Sequence, residues 1–352
     1  MAARFSAVRG PTRVVFHTGA ARELGPELDT AGLARVLVVG TPGRIGTLEE
    51  IGVSLGSRSV GVLAIAREHV PLELAERARA EARRMGADAV LACGGGSAIG
   101  LGKAVALEGI ARLVAVPTTY SGSEMTPLWG MTGAGEKRTG RDDRVRPALV
   151  VYDPALTLAL PRDVTVASLW NAVAHAVEAL WAPDADPLAL AAAEEAVRLV
   201  AEGLPPLLGD LGSPSLRASL LEAAYLAGVA IAGTRAGIHH RLCHLLGGIF
   251  GLPHAATHAA LLPHVVSFER GFAPGAMKRL SRALGGSDAV ESLFALHVRT
   301  GAPRGLASLG MPEGGIDRVV REFLARPDAG LLGPRPATPE SLLELLGRAF
   351  VG

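Results

Sequence analysis

Aromatic residues are scarce, at 4% of the chain, and there are only two cysteines, Cys93 and Cys243. Two thiols cannot form a disulfide framework, so a small secreted cross-linked fold is excluded and a reducing, cytoplasmic setting is expected. Charge of one sign is also missing. The formal net charge is +1, which removes the electrostatic reason to expect a nucleic-acid or polyanion partner. The N-terminal stretch MAARFSAVRGPTRVVF has no apolar centre of signal-peptide length. Glycine, proline or charge interrupts every apolar run before it reaches membrane-spanning length, so no membrane partner is expected. What remains is 49% hydrophobic residues across 352 positions, a core of alanine, valine and leucine too long for one domain.

The first part of the chain alternates short apolar runs with helical patterns. RVLVVG, GVLAIA, DAVLAC and RLVAVP read as buried strands. PLELAERARAEARRMG between them reads as an amphipathic helix, with Leu74, Ala78 and Ala82 inward and arginines outward. This predicts a Rossmann-like, mostly parallel sheet covered on both faces. After about Asp153 the texture becomes alanine- and leucine-rich and helical, in VASLWNAVAHAVEALW, LALAAAEEAVRLVAEGL, LRASLLEAAYLAGVAIAG and SLLELLGRAF. The expected fold is α/β plus all-α: residues 1–158 as a dinucleotide-binding domain, residues 159–352 as a helical substrate domain, and the active site in the cleft between them.

GGGSAIGLGK follows the DAVLAC strand and opens a helix. Gly94, Gly95 and Gly96 lack side chains, so backbone N–H groups can approach phosphate oxygens, and Ser97 is expected to cap the helix. The run is neither GxGxxG nor a Walker loop, so it suggests dinucleotide binding without fixing it. PTTYSGSE adds hydroxyls at Thr118, Thr119 and Ser121 for phosphate or ribose.

HHRLCHLLGGIFGLPH concentrates four histidines. His240 and His244 are four apart and share a helical face; His254 follows a Gly-Leu-Pro turn, with His258 and His264 beyond it. NAVAHAVE puts Asn171, His175 and Glu178 on one face of an earlier helix. A single helical histidine is ordinarily structural, but a cluster facing a cleft suits a transition metal or a developing anion. Cys243 reads as a packing residue, with thiol catalysis the alternative.

With these stretches together, the sequence resembles the iron-containing alcohol dehydrogenase superfamily, of dehydroquinate synthase-like fold. GGGS, PTT, HAVEA and H-x3-H…PH carry the likeness, from near residue 14 to the C-terminus. Metal-dependent members bind Fe or Zn through one aspartate and three histidines, positions that fall here at Asn171, His175, His240 and His254. An amide replaces the carboxylate, which weakens a charge-neutralised site. PTTYSGSEMTPLWGMT, EKRTGRDDRVRP, YDPALTLALP and HHRLCHLLGGIFGLPHAATH resemble one branch, the maleylacetate reductases, regarded as working without a metal.

That resemblance implies reduction of the enone of maleylacetate to 3-oxoadipate by NADH or NADPH, in aromatic-compound degradation and with no metal. His244 and His254 are assigned to the developing oxyanion, with His175 and His240 shaping the same pocket. Lys137, Arg138 and Arg141, in a run that also holds Arg144, are expected to meet the carboxylates of a small dicarboxylate substrate. The first strand ends at Gly40 and Thr41 with no acidic residue at its tip, and Arg44 is near; Thr41 is placed in the cofactor site, and NADPH is permitted beside NADH. A metal-dependent alcohol or polyol dehydrogenase is the alternative, and a homodimer the expected assembly.

Overall fold

The computed structural model describes residues 10–133 and 136–352, so the first nine residues of the N-terminal stretch read above for targeting lie outside the described residues. The described chain divides into two compact units, parted between Leu160 and Pro161.

The N-terminal unit is built on valine-, leucine- and alanine-rich strands that are buried on both faces, which is why they read as continuous apolar runs rather than alternating ones. In chain order its elements are β1 (Arg13–Phe16), α1 (Leu24–Ala31), β2 (Val36–Gly40), α2 (Ile45–Ser54), β3 (Ser59–Ala64) and α3 (Leu72–Arg84). There follow β4 (Ala89–Gly94), α4 (Gly96–Leu107), β5 (Arg112–Pro117), β6 (Leu128–Gly133), β7 (Glu136–Arg141) and β8 (Leu149–Tyr152). Six strands form one sheet in the order β1-β8-β5-β4-β2-β3, parallel at every pairing. Strands β2, β4 and β8 are buried along their whole length, whereas the edge strand β3 is only half-buried. Strands β6 and β7 form a separate antiparallel hairpin. On α3 the buried stripe is Ala75, Ala78 and Ala82, and Leu74 is only half-buried, one position off the face expected from the sequence. Small alanines on that stripe let the helix lie close to its neighbours.

The strand order reverses beside β2. The chain leaves β2 toward β3 on one side, while β4 leads through α4 to β5 on the other. The carboxyl ends of β2 and β4 therefore flank the topological switch point, where parallel sheets open a crevice for ligands.

The C-terminal unit is helical: α5 (Arg162–Trp181), α6 (Pro187–Leu207), α7 (Pro214–Ala232), α8 (Ile238–Phe250), α9 (His254–Glu269), α10 (Pro274–Ala283), α11 (Ala289–Thr300), α12 (Gly315–Leu324) and α13 (Pro339–Val351). Helix α5 is apolar nearly all round and buried from Thr165 to Leu180 apart from Ala167, with α6, α7 and α9 packed on it. A second apolar cluster joins α8, α9, α12 and α13 through Leu242, Leu246, Leu261, Val265, Phe323 and Leu346. Helix α7 is long and apolar enough by length and composition to cross a membrane, although Arg217, Glu222 and Gly228 interrupt its apolar run as expected from the sequence. Its alanines and leucines are instead covered mainly by α6 and α5.

At the end of α9, Glu269 is buried with one oxygen accepting the N–H of Arg335 at 2.8 Å. Its other oxygen, Oε1, has no hydrogen-bond partner among the described residues. Burial, with a smaller push from the charge of Glu178, raises its carboxyl from 4.5 to about 7, against the opposing pull of Arg335. The folded protein thus keeps a proton that the unfolded chain releases near pH 4.5. This contribution to stability is complete below that pH and is lost as pH rises through about 7. Glu269→Gln should flatten this part of the pH–stability curve and leave the variant more stable than wild type at pH 8, by on the order of 2 kcal/mol. Urea unfolding at pH 5 and pH 8 checks the difference.

Candidate active site

Two groups of residues answer to the sequence motifs, one in each unit. In the α/β unit, β4 ends at Gly94 (φ 147°), a backbone conformation that excludes ordinary side chains. A Cβ at Gly95 would stand 2.9 Å from the side chain of Thr119, whereas one at Gly96 would meet nothing within 4 Å. The turn is therefore packed on its Thr119 side and open at the first residue of α4. Gly95, not Ser97, occupies the cap position, and it makes no side-chain cap bond. Ser97 is the second residue of α4, so the expected capping role is corrected; its hydroxyl and the first-turn N–H groups lie at the positive end of the helix. Thr41 follows the last residue of β2, and Thr118 and Thr119 follow β5, with Thr118 N–H donating to the Gly94 carbonyl at 3.0 Å.

The loop that carries PTTYSGSE is held by a residue the sequence reading quoted but did not use. Lys103 of α4 is buried, and its Nζ donates to the carbonyl oxygens of Ser123 and Leu128, both at 2.7 Å, and to Thr126 Oγ1 at 2.9 Å. Beside it, Tyr152 donates to buried Glu124 at 2.9 Å. Burial pushes the Glu124 carboxyl up, against the hydrogen bonds and the nearby Lys103 charge that stabilise its ionised form.

Arg138 and Arg141 are exposed on β7, three residues apart and so on opposite faces of the strand. The side chain of Lys137 lies outside the described residues. Arg144 is engaged by Asp142, with its Nη2 at 2.7 Å from that carboxylate.

In the helical unit, α5, α8 and α9 bring together six imidazoles. His175 stacks on His240 with ring centroids 4.7 Å apart and planes 8° from parallel. His240 lies 6.4 Å from His244, which lies 5.8 Å from His254. His258, which the sequence reading left without a role, is the hub: its ring is 4.5 Å from His254, 4.7 Å from His240 and 4.8 Å from His239. Exposure is graded across the group. His239 and His258 are fully buried, His175 and His240 nearly so, and His244 and His254 are half-buried. A ligand from solvent therefore reaches His244 and His254 first. His264 is not part of the group; it packs edge-on to Phe294 at 5.3 Å.

Glu178 anchors this arrangement from α5. Its Oε2 accepts from His240 Nδ1 and from Gly237 N–H at 3.1 Å, and its Oε1 accepts from His239 N–H at 2.7 Å. Burial raises the Glu178 carboxyl, but the charges and hydrogen bonds of His240, His239 and Gly237 outweigh it and leave the net shift downward. With Nδ1 committed to the carboxylate, His240 turns Nε2 away from it, and that nitrogen has no hydrogen-bond partner among the described residues. Burial, against the opposing pull of Glu178, pushes His239 down to about 3, and burial reinforced by neighbouring imidazoles pushes His258 well below its ordinary value, so both are neutral at pH 7.

The family's metal positions, Asn171, His175, His240 and His254, belong to this same unit. Asn171 Oδ1 is buried with no partner among the described residues, as a metal ligand's oxygen would be without its ion. The Glu178–His240 pair is also the support that metal-ligating histidines ordinarily have. Charge weakens the fit. The four donors are an amide oxygen and three imidazoles, none of them anionic, and both oxygens of Glu178 are taken by His240 and backbone N–H groups. A divalent ion there would have no anionic protein ligand to balance it. The residues would hold Fe or Zn less tightly than a set with a carboxylate, and no step below passes through an ion.

Comparison with known proteins follows the same division. The model of the iron-containing alcohol dehydrogenase family matches residues 11–154, and that of the family's C-terminal part matches residues 165–350. The chain belongs to the iron-containing alcohol dehydrogenase family of oxidoreductases, in its maleylacetate reductase branch. It is 46% identical to maleylacetate reductase of Burkholderia cepacia over 97% of this chain and 96% of that one. Identity to the maleylacetate reductase of Sphingobium indicum is 44%, again over 97% and 96% of the two chains. The crystal structure of maleylacetate reductase from Agrobacterium tumefaciens superposes with a TM-score of 0.93 at 39% identity, covering 99% of each chain.

Glu178→Gln should destabilise the protein by about 3 kcal/mol, because His240 and the N–H groups of Gly237 and His239 lose a charged acceptor and meet an amide in its place. Guanidinium unfolding measures it. A change below about 1 kcal/mol, the ordinary worth of one neutral hydrogen bond, would contradict the anchoring role.

Proposed function

We propose that this protein reduces the enone double bond of maleylacetate to 3-oxoadipate with NADH or NADPH, without a catalytic metal, in the degradation of aromatic compounds. The observation that carries the reading is the imidazole group itself, graded from fully buried to half-buried and lacking an anionic metal ligand at Asn171. The full-length similarity to maleylacetate reductases supplies the substrate.

Hydride from the nicotinamide adds to the alkene carbon β to the ketone, and the electron pair moves through the double bond onto the ketone oxygen. His244 and His254 donate hydrogen bonds to the resulting enolate oxygen. His240, oriented by Glu178, and His175 line the same pocket and support those two rings. A proton then reaches the carbon next to the ketone, with a half-buried imidazole as the acid. Overall, maleylacetate, NADH and one proton give 3-oxoadipate and NAD+. A conjugated acceptor shares the incoming charge between the enolate oxygen and the carbon next to the ketone, so hydrogen-bond donors can do what an isolated ketone demands of a Lewis acid.

For the cofactor, the open N-terminus of α4 at Gly96 and Ser97 is assigned to the pyrophosphate, with Gly94, Gly95, Thr41, Thr118 and Thr119 around it. Arg138, Arg141 and Lys137 are retained as the cationic partners of the substrate carboxylates. The enzyme is assigned to the cytoplasm and to a homodimer.

His244→Ala and His254→Ala should each lower maleylacetate turnover by roughly two or more orders of magnitude, the usual size of a lost oxyanion donor. Both should keep wild-type NADH affinity; near-normal turnover in the two variants refutes the assignment. Protein purified without added metal should be active with substoichiometric Fe and Zn and indifferent to chelators. Gly96→Val should weaken NADH binding at least about tenfold while leaving thermal stability unchanged, because its side chain would enter the space meant for phosphate. Fluorescence titration with NADH, alongside a melting curve, reads both.

A further inference from the structure

Behind the residues assigned to the reaction lies a second constellation with different chemistry. His239 and Cys243 are one turn apart on α8 and share a face, and His258 comes from α9. His239 Nε2 and His258 Nδ1 are 2.9 Å apart, and Cys243 Sγ is 3.7 Å from the same His239 Nε2. These three donor atoms all lie within 4.8 Å of one another, and all three residues are fully buried. None belongs to the set Asn171, His175, His240 and His254.

We propose that His239, Cys243 and His258 form a binding site for a monovalent soft metal ion, Cu(I). The inference does not depend on the reaction proposed above. With bonds of roughly 2.0 Å to nitrogen and 2.3 Å to sulfur, a three-coordinate site of two nitrogens and one sulfur has N···S edges of about 3.7 Å and an N···N edge of about 3.5 Å. The Cys243–His239 separation already has that length, and the two imidazoles need to part by only about half an ångström. Two packed helices hold the donors, so little has to be ordered on binding.

Charge selects the ion. Binding displaces the thiol proton, and the proton shared between the two imidazoles passes to an outer ring nitrogen, His239 Nδ1 or His258 Nε2. Neither of those nitrogens has a hydrogen-bond partner among the described residues. One proton is released, and Cu(I) with one thiolate is neutral, which a fully buried site tolerates. A divalent ion would leave one uncompensated positive charge, since Glu178 is already engaged. Thiolate and imidazole ligands at low coordination number also suit Cu(I).

The test uses the full chain, chelator-washed and kept anaerobic, titrated with the coloured bicinchoninate complex of Cu(I). Wild type should bleach the complex to the extent of one Cu(I) per chain. X-ray absorption on that sample should show one sulfur and two nitrogen neighbours. Cys243→Ser should bind about 100-fold more weakly or worse, having exchanged a soft thiolate for a hydroxyl, and His254→Ala should bind as wild type does. Absence of bleaching by wild type, or a copper with no sulfur neighbour, overturns the proposal without reference to any variant. So does a folded Cys243→Ser protein that takes copper like wild type, because the ion would then sit among the other imidazoles.

Discussion

The helical unit depends on one buried carboxylate. Glu178 accepts from the ring of His240 and from the N–H groups of Gly237 and His239, so a single side chain of α5 fixes where α8 begins and how it is rotated. Unpaired, such a group would be costly inside the protein; paired, it is ionised and holds its partners tightly. Even the residue before the helix is constrained, since a Cβ on Gly237 would come within 2.8 Å of Glu178 Oε1. Once α8 is set, His239, His240, Cys243 and His244 follow by helical geometry, and α9 adds His254 and His258 against them. The imidazole group is thus the consequence of one buried carboxylate and two helix registers.

The same anchor separates the histidines into chemical types. His240 is oriented through Nδ1, His239 and His258 are held neutral by burial, and His244 and His254 remain where a ligand can meet them. Six copies of one side chain therefore do not form a uniform patch. At the position where metal-dependent relatives are expected to place an aspartate stands Asn171, and the carboxylate of Glu178 serves the scaffold.

In the α/β unit the decisive constraint is topological. The sheet reverses its direction of growth beside β2, and the chain ends of β2 and β4 open at that point. Glycines at 94, 95 and 96 let the chain turn there, with Thr119 packed against one of them and open space beside another. Lys103 then holds the following loop from inside, so the hydroxyl-bearing segment after β5 is positioned by a buried amine.

By itself the sequence determined the fold class, the strands β2, β4 and β5, and most of α3 and α5 to α7, and it singled out four histidines, 175, 240, 244 and 254, that the structure brings near one another. Apolar runs and 3.6-residue periodicity are local properties, and the motifs supplied the rest. Ser97 was misplaced as a cap because a cap depends on where the helix begins, which β4 and Gly94 decide. Leu74 was assigned to the wrong stripe because several phases of an alanine-rich helix look equally apolar. His258 and His239 were invisible as partners, and Lys103 as a clamp, because no spacing rule says which residues of α5, α8 and α9, or of α4 and the loop beyond β5, will touch. Burial and long-range hydrogen bonding are set only when the helices pack, and those two quantities decide which imidazoles are neutral, which is oriented and which meet a ligand.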